Sequence, residues 1–243
     1  MTAFAERGAL PDAIYGTSAG ALNAYGLSHV GATGLRELWH SIKSESDIFK
    51  KPAWPPLPWR TGYKNAEPLR KLLSKNTFHP TIPFKVCSLN LKTGEKVYTA
   101  HDHPDILNMT VSSASMEGYV EPYVGNGGIF GDGGAVENVP LKQAIQDGAE
   151  FIFVFLCFPF QEKLQDDWKA EGILGVLKRT YKCRSLELFR EDIRHCKRKN
   201  KSGRHREVHV RVIAPDREVL DVLDFSPEKI REGFAEGYKL GSL

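Results

Sequence analysis

The stretch Asp12-Ala13-Ile14-Tyr15-Gly16-Thr17-Ser18-Ala19-Gly20-Ala21-Leu22-Asn23-Ala24 constrains this chain more than any other. A short apolar run, a Gly-x-Ser-x-Gly turn and an alanine-rich segment predict strand, sharp turn and helix in that order. Gly16 and Gly20 allow the backbone to reverse tightly beneath the serine and the helix to pack close behind it. Ser18 would then stand at the helix N-terminus, where unpaired N–H groups, that of Ala19 among them, and the positive end of the dipole favour a developing anion. An acyl-transfer nucleophile requires such a place. The five-residue motif alone also arises by chance, and it is the flanking strand and helix patterns that give this one weight.

The rest of the chain supplies a setting for that turn. At 243 residues and 41% hydrophobic it can bury a large core, and one domain over residues 1–243 is the expected organisation. Thr2 to Arg7 reads as the tail of a helix closed by Gly8. Ala19–Leu27 and Leu35–Ile42 carry helical periodicity, and Asn65 with Pro68 opens a further helix through Leu73. Pro83–Leu89 and Glu95–Thr99 read as strands joined through Thr93-Gly94, and Thr110–Met116 as a helix. Gly125 to Gly134 reads as a hairpin whose second strand ends at Asp132. Phe151–Cys157 lacks polar alternation and is expected to be buried on both faces, as in a parallel sheet under helices. Leu164–Arg194 reads as largely helical, His195–Arg206 as a basic flexible segment, Val208–Ile213 as a strand, and Ser226 starts a helix to about Leu240. Strands alternating with helices predict a three-layer α/β/α domain with a mostly parallel central sheet. The proline-rich loop Lys50–Arg60, with Trp54 and Trp59, is a candidate lid or interfacial anchor, or a loop packed on its own domain.

The bulk properties exclude more than they identify. A formal charge of +3 gives no global reason to expect nucleic acid. Cys87, Cys157, Cys183 and Cys196 form no Cys-x-x-Cys pair or zinc spacing and read as free thiols of a reducing compartment. His101-Asp102-His103 reads as a polar loop, because adjacent positions rarely converge on one ion, and neither metal nor cofactor is expected. No run approaches the roughly 18 apolar residues of a spanning helix, so a cytoplasmic chain with at most peripheral membrane contact is the expectation.

A serine hydroxyl needs a partner to take its proton. Asp132 is the candidate, since Gly133 and Gly134 after it let its carboxylate approach another backbone closely. Asp-Gly-Gly alone is an ordinary turn. Taken in order, Gly16-Thr17-Ser18-Ala19-Gly20, Ser113-Ala114-Ser115-Met116, Asp132-Gly133-Gly134-Ala135-Val136-Glu137-Asn138-Val139-Pro140 and Leu223-Asp224-Phe225-Ser226-Pro227 resemble the patatin-like phospholipase family. The resemblance implies a patatin-like fold and a lipid acyl hydrolase using a Ser18–Asp132 dyad without histidine, through an acyl-enzyme. It implies a lipid or other acyl-ester substrate. An ordinary Asp is a weak base at neutral pH, so burial would have to raise the pKa of Asp132.

The family also has a glycine-rich loop after its first strand that builds the oxyanion hole. Here that loop would lie upstream of the helix containing Met1. The favoured expectation is a chain lacking its true N-terminus, with Ala19 as a single remaining backbone donor and an unpaired strand edge prone to aggregation. The alternative is a short product that no longer hydrolyses. Glu117 and Glu121 stand where the family tends to have proline. Two other functions remain open: a Ser–His–Asp hydrolase using His209, and a non-catalytic lipid- or partner-binding module. The second would use the basic residues between Lys178 and Arg206, which attract anionic headgroups but have no interleaved aromatics for nucleic acid.

Overall fold

In a computed structural model of the chain, the residues described are 2–51, 63–75, 79–160, 172–202, 206–217, 219 and 224–242. The tryptophan-bearing loop, from residue 52 onward, lies outside them. Helix α1 (Thr2–Glu6) ends at Gly8, whose φ of +77° is the left-handed cap expected of a glycine there. Strand β1 (Ile14–Thr17) leads through Ser18 into α2 (Ala19–Ser41). The two helical segments read between residues 19 and 42 are the two halves of α2, separated at Gly31, whose φ of 69° and ψ of −174° are not helical. The halves fold onto one another: Leu35 packs on Gly26, and Trp39 Nε1 donates to Asn23 Oδ1 over 2.8 Å.

Next come α3 (Glu67–Ser74), β2 (Phe84–Asn90), β3 (Lys96–Ala100), α4 (Ile106–Ser113), β4 (Tyr123–Gly125) and β5 (Gly128–Asp132). Ala66 occupies the cap position of α3, and the side chain of Asn65 just before it accepts from the Glu67 N–H at 2.8 Å. The β4–β5 hairpin turns at Asn126-Gly127, both at positive φ, as a two-residue hairpin requires. After α5 (Leu141–Gln146) and β6 (Phe151–Phe155), the chain continues through α6 (Gly172–Lys201), β7 (His209–Ile213) and α7 (Pro227–Leu240).

The fold is α/β, as expected, and its five-stranded sheet is mixed. Parallel β1 and antiparallel β3 and β5 all pair with β2, and β4 pairs with β5. Because β3 runs along residues 85–89 of β2, the β1 and β5 ladders must share the opposite side of that strand. They meet there end to end: Thr17 faces Cys87, and Asp132 faces Ser88. One face of the β1–β2 pair carries Ile14, Phe84 and Val86 into a core with Ala21, Tyr25 and Met109. From the other face Tyr15 and Lys85, opposite one another in register, both bond Asp147 Oδ2 at 2.7 Å, just beyond α5. This side-to-side alternation is what places helices on both faces of the sheet.

Two expectations are corrected. Strand β6 pairs in parallel with β7, but Phe151 and Phe153 remain 72% and 48% exposed, so it is not buried on both faces. Among the described residues β6 has no strand on its other edge, and the ring of Phe4 stands edge-on to Phe153 at 5.3 Å. The segment from His195 is not flexible up to Lys201, since α6 continues through it. Glu187 and Glu191 pair with Arg194 and Arg198 along the helix, stabilising the turn that the basic run alone would repel apart.

Candidate active site

The turn between β1 and α2 holds Ser18 at φ 55°, ψ −126°, a conformation that costs an L-residue about 1–3 kcal/mol and persists only when its surroundings impose it. Two contacts impose it. A Cβ on Gly16 would overlap the Gly20 carbonyl, so the strand can pass directly beneath the first turn of α2 only as glycine. The Ser18 N–H donates to Ser113 Oγ at 3.0 Å, and Ser113 Oγ donates onward to the Cys87 carbonyl at 2.5 Å. The end of α4 thus ties the turn to β2. Ser113 was legible only as part of a resembling segment; its hydrogen bonds give it a part to play.

Gly20, by contrast, has open space where its Cβ would stand. The tight approach read for both glycines of the motif is made by Gly16 alone.

Asp132, 1% exposed, ends β5. Its Oδ2 accepts from the Ser18 hydroxyl at 2.8 Å, and its Oδ1 accepts from the Gly134 N–H at 2.7 Å. Gly133 is required by the junction of β1, β2 and β5, since a side chain there would overlap the Cys87 carbonyl. Burial pushes the Asp132 carboxyl up to about 7, against the Gly134 and Ser18 hydrogen bonds that favour its ionised form; the Glu117 carboxylate raises it further. A carboxyl at that value is divided between its two forms near neutral pH, the condition for taking up and returning a proton.

Ser18, Ala19 and Asp132 open onto a cavity of about 100 Å³ that runs between the two halves of α2 and under α3. Its walls are almost wholly apolar, with Leu22, Leu35, Trp39, Leu69, Leu73 and Phe225 among them. Ala19 is the first residue of α2, so its N–H has no acceptor four residues back within the helix. The arrangement joins a hydroxyl, a carboxyl near its midpoint and a greasy slot suited to a hydrocarbon chain.

The structure keeps His209 apart from this group. It begins β7, its ring stacked on Phe151 at 4.9 Å in a separate cavity whose lining includes neither Ser18 nor Asp132. Among the described residues no three His, Cys, Asp or Glu side chains are arranged to hold a metal ion, and no helix is long and apolar enough to cross a membrane. Tyr181 of α6, which lines the cavity beside Ser18 and Asp132, was not singled out from the sequence. A lone tyrosine in a long helical segment carries no signal of which way it points.

A family model described as patatin-like phospholipase matches residues 1–145, well over half of the chain and including both Ser18 and Asp132. A comparison with curated proteins returned no match.

Proposed function

The chain belongs to the patatin-like phospholipase family, and from that premise we propose that it hydrolyses carboxylic esters of lipid acyl chains, with Ser18 as nucleophile and Asp132 as general base. The single observation that carries this reading is the 2.8 Å hydrogen bond between the two side chains at the mouth of an apolar cavity.

In the reaction, the Ser18 hydroxyl proton passes to Asp132 Oδ2 as Oγ bonds to the ester carbonyl carbon and the carbonyl π pair moves onto its oxygen. The tetrahedral intermediate collapses by breaking the bond to the leaving alkoxide, which takes the proton from Asp132. A water molecule then repeats the sequence. Its proton goes to Asp132, its oxygen attacks the acyl carbon, and collapse releases Ser18 Oγ, which recovers the proton, and a free carboxylic acid. The Ala19 N–H, at the positive end of α2, supports the oxyanion. Gly16, Gly20, Gly133 and Gly134 are the motif glycines of the proposed site.

Residues 1–243 are read as one domain, because Phe225 near the C-terminal end lines the same cavity as Ser18. A non-catalytic role at an anionic membrane through residues 178–206 is the weaker reading. Arg194, Arg198 and Arg206 in that region already pair with Glu187, Glu191 and Glu150. Purified chain is assayed for release of fatty acid from mixed micelles and for labelling by an alkyl fluorophosphonate. Labelling that persists in Ser18→Ala removes the assignment.

A further inference from the structure

Helix α6 lies beyond the segment that the family model matches, yet it lays a side chain against the proposed dyad. Tyr181 lines the cavity together with Ser18 and Asp132, and its hydroxyl presses on Gly134 so closely that a Cβ on that glycine would overlap it. Gly134 is the residue whose N–H holds Asp132 Oδ1. The phenol therefore stands over both ends of the carboxylate's hydrogen-bonding arrangement.

We propose that Tyr181 is a third catalytic residue, a neutral phenol that donates to Ser18 Oγ and holds the charge developing there as the serine proton moves to Asp132. The inference rests on the dyad reading above. Ser18 Oγ has one proton, given to Asp132, and lone pairs left to accept. The Tyr181 phenol stands beside Ser18 in the cavity wall, near enough for the two hydroxyls to influence each other. Burial and the nearby Asp132 and Glu117 carboxylates push its phenol far above the usual tyrosine range, so it keeps its proton throughout and acts only as a donor. Arg184, whose guanidinium lies 5.5 Å from the Tyr181 ring centroid, is placed to steady the ring.

In the free chain, the coupling of the two hydroxyls is tested by a double-mutant cycle of thermal unfolding midpoints for Ser18→Ala, Tyr181→Phe and the double variant. The double variant is expected to lose less than the sum of the singles; additive losses overturn the proposal whatever the activity shows. In catalysis, Tyr181→Phe keeps the ring and its packing but removes the donor. Its rate constant for fluorophosphonate labelling and its kcat on a long-chain p-nitrophenyl ester are expected to fall about 10²-fold, with KM unchanged. Labelling of Tyr181→Phe at the wild-type rate, with Ser18→Ala unlabelled, leaves the phenol a packing group and overturns the proposal. Labelling of Ser18→Ala instead refutes the dyad.

Discussion

Thr17 and Asp132 face consecutive residues of one strand, Cys87 and Ser88, from opposite directions along the same edge. Strand β1 arrives there parallel to β2 and β5 arrives antiparallel, so the residue after Thr17 and the side chain of Asp132 have nowhere to go but toward each other. Side chains 114 positions apart are joined over 2.8 Å because sheet register brings their strand ends together.

Asp132→Asn preserves the shape of the junction, with the amide oxygen still able to accept from Gly134, but it cannot take a proton. Ester hydrolysis and fluorophosphonate labelling are expected to fall by about 10²–10⁴-fold, with secondary structure by circular dichroism unchanged.

The raised carboxyl sets two opposite pH dependences. Hydrolysis needs ionised Asp132, so kcat/KM is expected to rise with pH through about 7 and then level off. Stability runs the other way: in the unfolded chain the group titrates near ~3.9, so folding takes up a proton between that value and about 7. The stabilising contribution is present below the lower value and lost as pH rises through the upper one. Asp132→Asn is expected to unfold at a higher temperature than the wild type at pH 8, with the difference shrinking toward pH 5, as read by differential scanning fluorimetry.

The two glycines of the serine motif are expected to behave unlike each other. Gly16→Ala drives a methyl into the Gly20 carbonyl, a backbone atom that cannot step aside, and is expected to cost about 3 kcal/mol or more with loss of labelling. Gly20→Ala meets nothing and replaces a helix-weakening residue in the first turn of α2, so it is expected to be neutral or stabilising by up to about 1 kcal/mol. Chemical denaturation of both variants checks this.

The cavity predicts chain-length selectivity. Leu72, partly buried on α3, lines it. Leu72→Trp is expected to remove room for several methylenes, each worth about 0.8 kcal/mol. Long-chain p-nitrophenyl esters would lose more than 10-fold in kcat/KM, while acetyl and butyryl esters would be unchanged. Equal losses across the series would place the acyl chain elsewhere.

What was legible in the chain follows from how local the physics is. The elbow, the glycine-rich hairpin whose second strand ends at Asp132 and the Ser226-Pro227 helix start are local backbone preferences, and each stands where its residues placed it. Pairing Ser18 with Asp132 required the family resemblance, because nothing near either residue encodes that β1 and β5 share an edge of β2. The exposure of Phe151 and Phe153 was misread because an apolar run shows what a strand tolerates, and only tertiary placement shows which elements cover it. The helical stretch 195–201 was missed because its support comes from Glu187 and Glu191, a turn or more upstream of the basic run.

The backbone at Ser18 has a further consequence. Its torsions suit glycine better than any residue with a hydroxyl. A library of variants screened for heat resistance alone should therefore drift toward Ser18→Gly, gaining robustness as it goes silent toward esters. Wherever serine persists at this position under such a screen, something other than folding is keeping it there.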